Sequence, residues 1–414
     1  MHVLFIHQAF PAQFGRLGLE LHKRYGWKCS FLIEDLSSCP TPTQEMVQLL
    51  QLRRLPLTQE FRTQRLTPWP QAYGRHLQLA EAVFVALRAW PELHPDLIVG
   101  HDGLGPTLFL PEILSCPIIN YCEYYFAPKM RDISYRIDLP PAEPADFYPR
   151  SINAATLVNL VAFDWGYSPT EWQRNTFPEH FRHKIEVHFD GIDTELYKPR
   201  SLPRTFAGRT IEKGQRLVTF VARGLESMRG FDLFMRLAQR IAAERSDVVF
   251  AVVGQDRSYY GWDRLHTGNP SFKSWVLSQG SYDLSRFIFV EHLQPDQLAE
   301  LLCISDLHIY LTVPFVLSWS LMNALASGCV VLASDVPPLR EVIQSGVNGF
   351  LEPLFDTERQ LETALRVLDD PAEFRPLTQA ARRLMEEKYS IEVNIPELKD
   401  YFERVVNSTP KRKT

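Results

Sequence analysis

Two arginines carry the most legible chemistry in the sequence. Arg223 follows the apolar run 217–222 (LVTFVA), and Arg229 stands six positions on in ARGLESMRGF, where a helical pattern begins. Two guanidiniums at the carboxyl edge of one strand can converge on a diphosphate through charge-assisted hydrogen bonds; the plainer reading of each is a solvated cation. A second candidate lies in 306–335 (DLHIYLTVPFVLSWSLMNALASGCVVLASD), where a strand ends near Thr312, a short helix runs from about Ser318 to Ser327, and Gly328 stops it. The N-terminus of that helix, with Ser318 and Ser320 as caps, suits phosphate oxygens through its amides and positive dipole end. A buried connector built on Phe315, Leu317, Trp319 and Leu321 is the structural alternative. In 7–18 (HQAFPAQFGRLG), strand one ends and Gly15 and Gly18 precede a helix, leaving backbone N–H groups that can also face an anion; a structural turn is the plainer reading. His101 ends the run 96–100 and begins HDGLG, offering an imidazole that can bond a hydroxyl or shuttle a proton. His7 and Glu123, at comparable strand ends, are weaker candidates for contacting an acceptor.

These residues need a sheet to hold them. Runs 2–7, 29–33, 96–100, 117–121, 185–189, 217–222, 248–253, 287–290, 307–311 and 329–333 have strand length and apolar composition, while segments such as 77–87 and 231–242 repeat apolar residues three and four apart. Near-continuous apolar strands alternating with helices specify parallel sheets covered on both faces. The polar, Pro/Gly/Arg-rich stretch 190–216 interrupts the alternation. We therefore expect an α/β protein of two doubly wound, Rossmann-like domains, 1–195 and 213–385, facing a central cleft. A last helix near 392–406, beside Pro396, is expected to cross back to the first domain as part of 390–410. Two loop-like stretches, 36–72 and 124–150, are expected to shape a binding site.

Composition narrows the function classes. A chain of 414 residues exceeds one compact core, and 45% hydrophobic with 22% charged residues is ordinary for a globular protein. The balance of 44 Lys+Arg against 49 Asp+Glu, a formal charge of -5, lacks the basic footprint of a nucleic-acid binder. Apolar runs stop far short of the roughly 20 residues a membrane span needs, and the opening MHVLFIHQAF reads as a core strand rather than a leader. Six cysteines without a C-x-x-C pair read as reduced packing residues and point to the cytoplasm. Weak contact with the inner membrane surface stays open, through the terminal KRKT. The absence of G-x-G-x-x-G, a P-loop, H-E-x-x-H and G-x-S-x-G disfavours dinucleotide oxidoreductases, P-loop hydrolases, a dedicated zinc site and serine hydrolases.

Taken in order, the Gly15 turn, GHDGLG (100–105), SPTEWQ (168–173), DGIDTELYKP (190–199), ARGLESMRG (222–230), VVGQD (252–256), the block 304–335 and REVIQSGVNGFL (340–351) make the chain similar to the family 4 (GT4-type) glycosyltransferases, retaining enzymes of GT-B architecture. The resemblance implies a nucleotide-diphosphate sugar as donor, expected to be UDP- or GDP-type, held mainly by the C-terminal domain with no permanently bound cofactor. Because fixed cations and helix-end amides can stabilise the leaving diphosphate, we expect transfer without a metal. The acceptor, whether lipid, glycan, protein or small molecule, stays open. Carried over by motif position, Arg223 and Arg229 grip the diphosphate, the latter where the family has lysine. Ser318, Trp319 and Ser320 give backbone contacts to the phosphates, Gly254 and Asn323 join the donor pocket, and Gly15 closes over it. His101 lies near the reacting sugar, so His101, Arg223 and Arg229 are the candidate catalytic set. The family's two glutamates, eight positions apart, are here Phe315 and Asn323. Asn323 can still bond ribose hydroxyls; Phe315 replaces no carboxylate. A catalytically impaired paralogue that binds sugar nucleotides or acts as a scaffold is therefore the alternative function.

Overall fold

The computed structural model describes residues 1–35, 41–57, 69–127, 131–139, 148–268 and 271–412. It divides into two compact units, one formed by Met1–Pro128, Pro144–Gly191 and Glu392–Thr414, the other by Lys129–Glu143 and Ile192–Ile391.

The first unit is a seven-stranded sheet built from β1 (His2–Ala9), β2 (Lys28–Asp35), β3 (Gln51–Arg54), β4 (Leu97–His101), β5 (Ile118–Tyr121), β6 (Trp165–Ser168) and β7 (Ile185–Val187). Its order is β3-β2-β1-β4-β5-β6-β7, with every pairing parallel. Parallel pairing forces helical crossovers, here α1 (Phe14–Tyr25), α2 (Trp69–Arg88) and α3 (Tyr148–Ala162) among others. Helix α1 stops at Gly26, whose positive φ of 67° lets its N–H reach back to the His22 carbonyl at 2.9 Å. Strand residues Leu4, Ile6, Leu32, Ile98 and Ile118 pack with Leu79, Val83 and Leu160 in one core, each buried aliphatic contributing about 1.5–3 kcal/mol.

The second unit carries a short hairpin, β8 (Thr205–Phe206) and β9 (Arg209–Thr210), and a six-stranded parallel sheet. That sheet comprises β10 (Arg216–Gly224), β11 (Val248–Gln255), β12 (Phe287–Val290), β13 (Leu307–Tyr310), β14 (Val331–Ser334) and β15 (Phe350–Glu352), in the order β12-β11-β10-β13-β14-β15. Helix α4 (Phe231–Glu244) follows β10 and buries Phe231, Phe234, Ala238 and Ile241, a spacing of three and four that lays one apolar stripe on the sheet. Helices α5 (Trp319–Ala326) and α6 (Thr357–Asp369) follow β13 and β15.

Helix α7 (Ile391–Ser408) returns to the first unit, as the sequence predicts. It is fixed there by the Tyr401 hydroxyl donating to the Gly166 carbonyl at 2.8 Å and by a paired Arg404–Glu186 bridge. Pro396 sits inside this helix rather than ahead of it. Within 36–72, read from composition as loop-like, residues 44–54 form the helix Gln44–Leu49, capped by Thr43, and strand β3. Parts of 36–72 and 124–150 fall outside the described residues.

Both sheets reverse winding direction once, between β1 and β4 and between β10 and β13. Ligands in doubly wound sheets bind beyond the strand carboxyl ends at such points. In the first unit the backbone there is drawn tight: the Gln8 N–H donates to the Leu104 carbonyl at 2.7 Å, and a Cβ on Gly105 would stand 1.9 Å from the Ile6 carbonyl oxygen. Gly105→Ala is therefore expected to cost about 1–3 kcal/mol of stability, measured by denaturant unfolding, whereas Gly74→Ala, whose Cβ meets nothing within 4 Å, is expected not to destabilise.

Candidate functional site

In the second unit, β10 ends at Arg223 and Gly224, and a turn of 3₁₀ helix, Ser227–Arg229, leads into α4. Gly230 makes this join in the left-handed region at φ 64°, its absent side chain leaving room for Leu311, 2.8 Å from where a Cβ would be. Arg229 is only 8% exposed. Its Nη1 donates to the Tyr310 hydroxyl at 3.0 Å, the Val316 carbonyl at 3.3 Å and the Thr312 hydroxyl at 3.4 Å. The arginine thus ties the end of β10 to the segment that runs from β13 into α5. Arg223 is exposed, with its guanidinium 4.0 Å over the Tyr259 ring. Tyr260, the next residue, has its ring 5.9 Å from the Arg229 guanidinium and edge-on to Phe315 at 5.0 Å. The two arginines therefore rest on adjacent residues of one turn after β11.

Helix α5 starts where the sequence places it. Ser318 is its N-cap, its hydroxyl accepting from the Ser320 N–H at 3.3 Å. Trp319 is 37% exposed at the first helical position, and Asn323 lies one turn further along the helix, buried. Phe315, 3% exposed, packs on Tyr260 and lies 5.5 Å from the Arg229 guanidinium, so the position of the family's first glutamate is filled by hydrophobic contact. Gly254 sits within β11, where a Cβ would stand 2.8 Å from Leu225 and 2.9 Å from the Ala222 carbonyl.

Sequence reasoning missed the residue that joins these parts. Glu226 is fully buried between the two arginines; its Oε2 accepts the Tyr259 N–H and, at 2.9 Å, the Tyr260 N–H. Burial pushes its carboxyl up to about 7, against the pull of those N–H groups and of Arg229. The signal was its place inside ARGLESMRG. Arg136 was missed as well: fully buried, it holds Asp232 of α4 at 2.7 and 3.0 Å and the Ser227 carbonyl at 2.9 Å. An open groove of about 740 Å³, lined by Tyr135, Asp335, Arg340 and Phe355 among others, includes none of the arginine-site residues.

The first unit gathers its own polar group at the ends of β1, β4 and β5. His101 is buried and lies 2.9 Å by Nδ1 from the Asp102 carbonyl, an acceptor only, so Nδ1 carries the proton. Its Nε2 lies 3.7 Å from Glu123. Burial, reinforced by His7, holds the imidazole well below its ordinary pKa, so it is neutral; the two rings meet edge-on at 5.1 Å. Behind them Asp102 accepts from Asn159 at 3.2 Å, and burial raises its carboxyl to about 7. Gly15 and Gly18 lie inside α1 rather than ahead of it, and the Gly15 N–H is not free: it donates to the Pro11 carbonyl at 2.7 Å, while a Cβ there would stand 2.2 Å from the Pro11 side chain. Tight packing by itself calls for glycine there. Among the described residues there is no cluster of three or more metal-ligating side chains, and no helix is long and apolar enough to cross a membrane.

Two doubly wound parallel sheets in one chain define the GT-B fold class, and solved structures of that fold match over the full length. Sucrose-phosphate synthase from Thermosynechococcus elongatus superposes with a TM-score of 0.72 at 16% identity, covering 99% of each chain. Anabaena Alr3699/HepE, in complex with UDP and glucose, superposes at 0.66 and 14% identity, over 98% of this chain and 100% of that one. Residues 39–197 match the profile described as Glycosyl transferase family 4 group, and residues 203–384 that described as Glycosyl transferases group 1. The chain belongs to the GT4-type glycosyltransferases. Among characterised relatives, spore coat protein SA of Bacillus subtilis is 22% identical over 50% of this chain and 55% of its own. N-acetyl-alpha-D-glucosaminyl L-malate synthase of Bacillus anthracis is 32% identical over 23% of this chain and 26% of its own. The chain thus spans about half, or a quarter, of the relatives it matches.

Asp102 gives a signed prediction. Its folded pKa lies above the ordinary carboxylate value, so the stability it contributes is fully present below about pH 4 and is lost as pH rises through about 7. Asp102→Asn removes that dependence. The fall in melting temperature between about pH 5 and pH 8 is expected to shrink by several degrees, with a residual slope from Glu226, whose sign is the same.

Proposed function

We propose that the protein transfers a sugar from a nucleoside-diphosphate donor to an acceptor, with retention and without a metal ion, in the cytoplasm. The observation that carries this reading is Arg229: a nearly buried guanidinium fixed against the loop that enters the N-terminus of α5. Breaking the bond between the anomeric carbon and the β-phosphate oxygen leaves negative charge on the diphosphate. Cations and helix-end amides already in place stabilise that charge without reorganising, typically by about 3–4 kcal/mol per donor. In this reading Arg223 and Arg229 hold the diphosphate, the amides at Ser318, Trp319 and Ser320 meet its oxygens, and Asn323 bonds the ribose. Gly254 keeps the neighbouring strand close.

With phenylalanine at position 315, no carboxylate is offered there as a covalent nucleophile. The departing phosphate oxygen then takes the acceptor's proton on the same face of the sugar, which preserves the anomeric configuration. Neutral His101, its Nδ1 proton committed to the Asp102 carbonyl, presents Nε2 to orient a hydroxyl. UDP named with a GT-B neighbour makes UDP-sugars the first donors to test. The free, mostly buried cysteines, Cys29, Cys116, Cys122 and Cys329, suit a reducing compartment. Phe315 also favours a second reading, a sugar-nucleotide-binding paralogue without turnover.

A thermal-shift panel of UDP- and GDP-sugars is expected to give one stabilising donor, and turnover of that donor with an acceptor separates enzyme from binder. Arg223→Ala is expected to lower kcat at least about tenfold with an unchanged melting temperature; unaltered kinetics would remove Arg223 from the site. Activity is expected to survive EDTA, and its loss there would overturn the metal-free reading.

A further inference from the structure

We infer that Glu226 is a positioning residue for the donor diphosphate: its buried carboxylate ties the turn bearing Tyr259 and Tyr260 to the segment bearing Arg223 and Arg229, and it takes up a proton when an anion settles beside Arg229. The inference rests on the donor-site reading above and adds to it a residue and a proton.

The geometry comes first. Glu226 is 0% exposed, an expensive place for a carboxylate unless its oxygens are occupied. One oxygen is: Oε2 takes the consecutive N–H groups of Tyr259 and Tyr260. Those two residues are the ones on which the arginines lean, Arg223 over the Tyr259 ring and Arg229 beside the Tyr260 ring. A single side chain thereby sets the height and tilt of both aromatic supports. The other oxygen, Oε1, is buried with no hydrogen-bond partner among the described residues.

The electrostatics follow from who faces it. Arg229, on the turn that follows, favours the carboxylate; Asp263, across from it, opposes it. Asp263 is itself occupied, accepting from the Ser227 N–H at 3.0 Å, the Ser227 hydroxyl and the Ser258 hydroxyl at 2.7 Å. Asp232, next to this group, is paired with Arg136 and Arg236. Arg229 is therefore the positive charge on which ionised Glu226 depends. A diphosphate arriving at Arg229 brings negative charge to the same guanidinium, and the buried carboxylate then competes with the ligand for one cation. Protonation relieves the conflict: the carboxylate gains one proton from solvent, loses its charge, and keeps Oε2 as acceptor for the two N–H groups. Its carboxyl is already pushed up to about 7, so this change is accessible near neutral pH. Because binding raises the pKa further, affinity is full at low pH and declines as pH rises through neutrality.

The test uses the full-length chain and two diphosphodiester probes that have no ionisation of their own near neutral pH, UDP-glucose and GDP-mannose. Calorimetric titration in two buffers of different ionisation heat is expected to show net proton uptake at about pH 7.5 for whichever probe binds. Affinity is expected to fall about tenfold between about pH 6 and pH 9, one unit of pKa shift being tenfold. Glu226→Gln keeps an acceptor oxygen for the two N–H groups and cannot titrate; it is expected to abolish the uptake and flatten the profile. A purely architectural glutamate would instead change affinity equally at every pH.

Wild-type protein that binds without proton uptake overturns the inference, and so does Glu226→Gln with an unaltered pH profile. Should Glu226→Gln fail to fold, the wild-type uptake and its midpoint decide. Arg229→Ala separates the two levels. If it abolishes binding while Glu226→Gln titrates like wild type, the donor site stands and Glu226 falls. If neither probe binds wild type, or Arg229→Ala binds as well as wild type, the donor-site reading fails and takes this inference with it.

Discussion

A positive charge withdrawn from water is the constraint around which the second unit is arranged. Placing a guanidinium in a protein interior costs several kcal/mol unless its donors are met, and Arg229 Nη1 alone reaches a hydroxyl of β13, a hydroxyl just beyond it and a carbonyl of the following loop. Those contacts keep the β10 end at a fixed separation from β13, and Thr312, whose hydroxyl accepts from Arg229, is itself held from two sides. Its hydroxyl donates to the Met228 carbonyl at 3.1 Å, and its N–H to the Ser334 hydroxyl at 3.0 Å. Satisfying one cation thus aligns the strand ends at the point where the sheet reverses direction.

The first unit handles its buried polar groups differently. The ends of β1 and β4 carry a neutral imidazole and a carboxyl with raised pKa rather than a cation. The second unit buries a carboxyl of similarly raised pKa, Glu226, but sets it beside a cation, Arg229.

Much of this was legible in the sequence, because long-run patterns determine it. The apolar strand runs gave both sheets, and Ser318 with Gly328 bracketed α5. What escaped was set by distant partners or by weak local signals. Strand β3 (QLRR) lies at the sheet edge with polar, partly exposed residues, so it lacks the apolar run that marks interior strands. Strand β6 (WGYS) is four residues long and contains glycine. Arg136 and Asp232 are 96 positions apart, and nothing in either neighbourhood names the other. Glu226 drew no notice inside ARGLESMRG because sequence does not report burial. The site residues carried over by motif position remain proposals; their types and spacing were visible, while the tyrosine supports under the arginines became evident only in three dimensions.

The chain passes from one unit to the other after Pro128, Glu143, Gly191 and Ile391. Neither unit is therefore a contiguous half. A cut at the polar linker would leave a C-terminal fragment in which Asp232 has lost Arg136, and an N-terminal fragment deprived of Tyr401 and the other α7 residues that seal Gly166 and Glu186. Genetic exchange of whole halves between such proteins would have to carry a short internal segment and the tail along with it. Interwoven connectivity of this kind makes the two units inherit, fold and fail together.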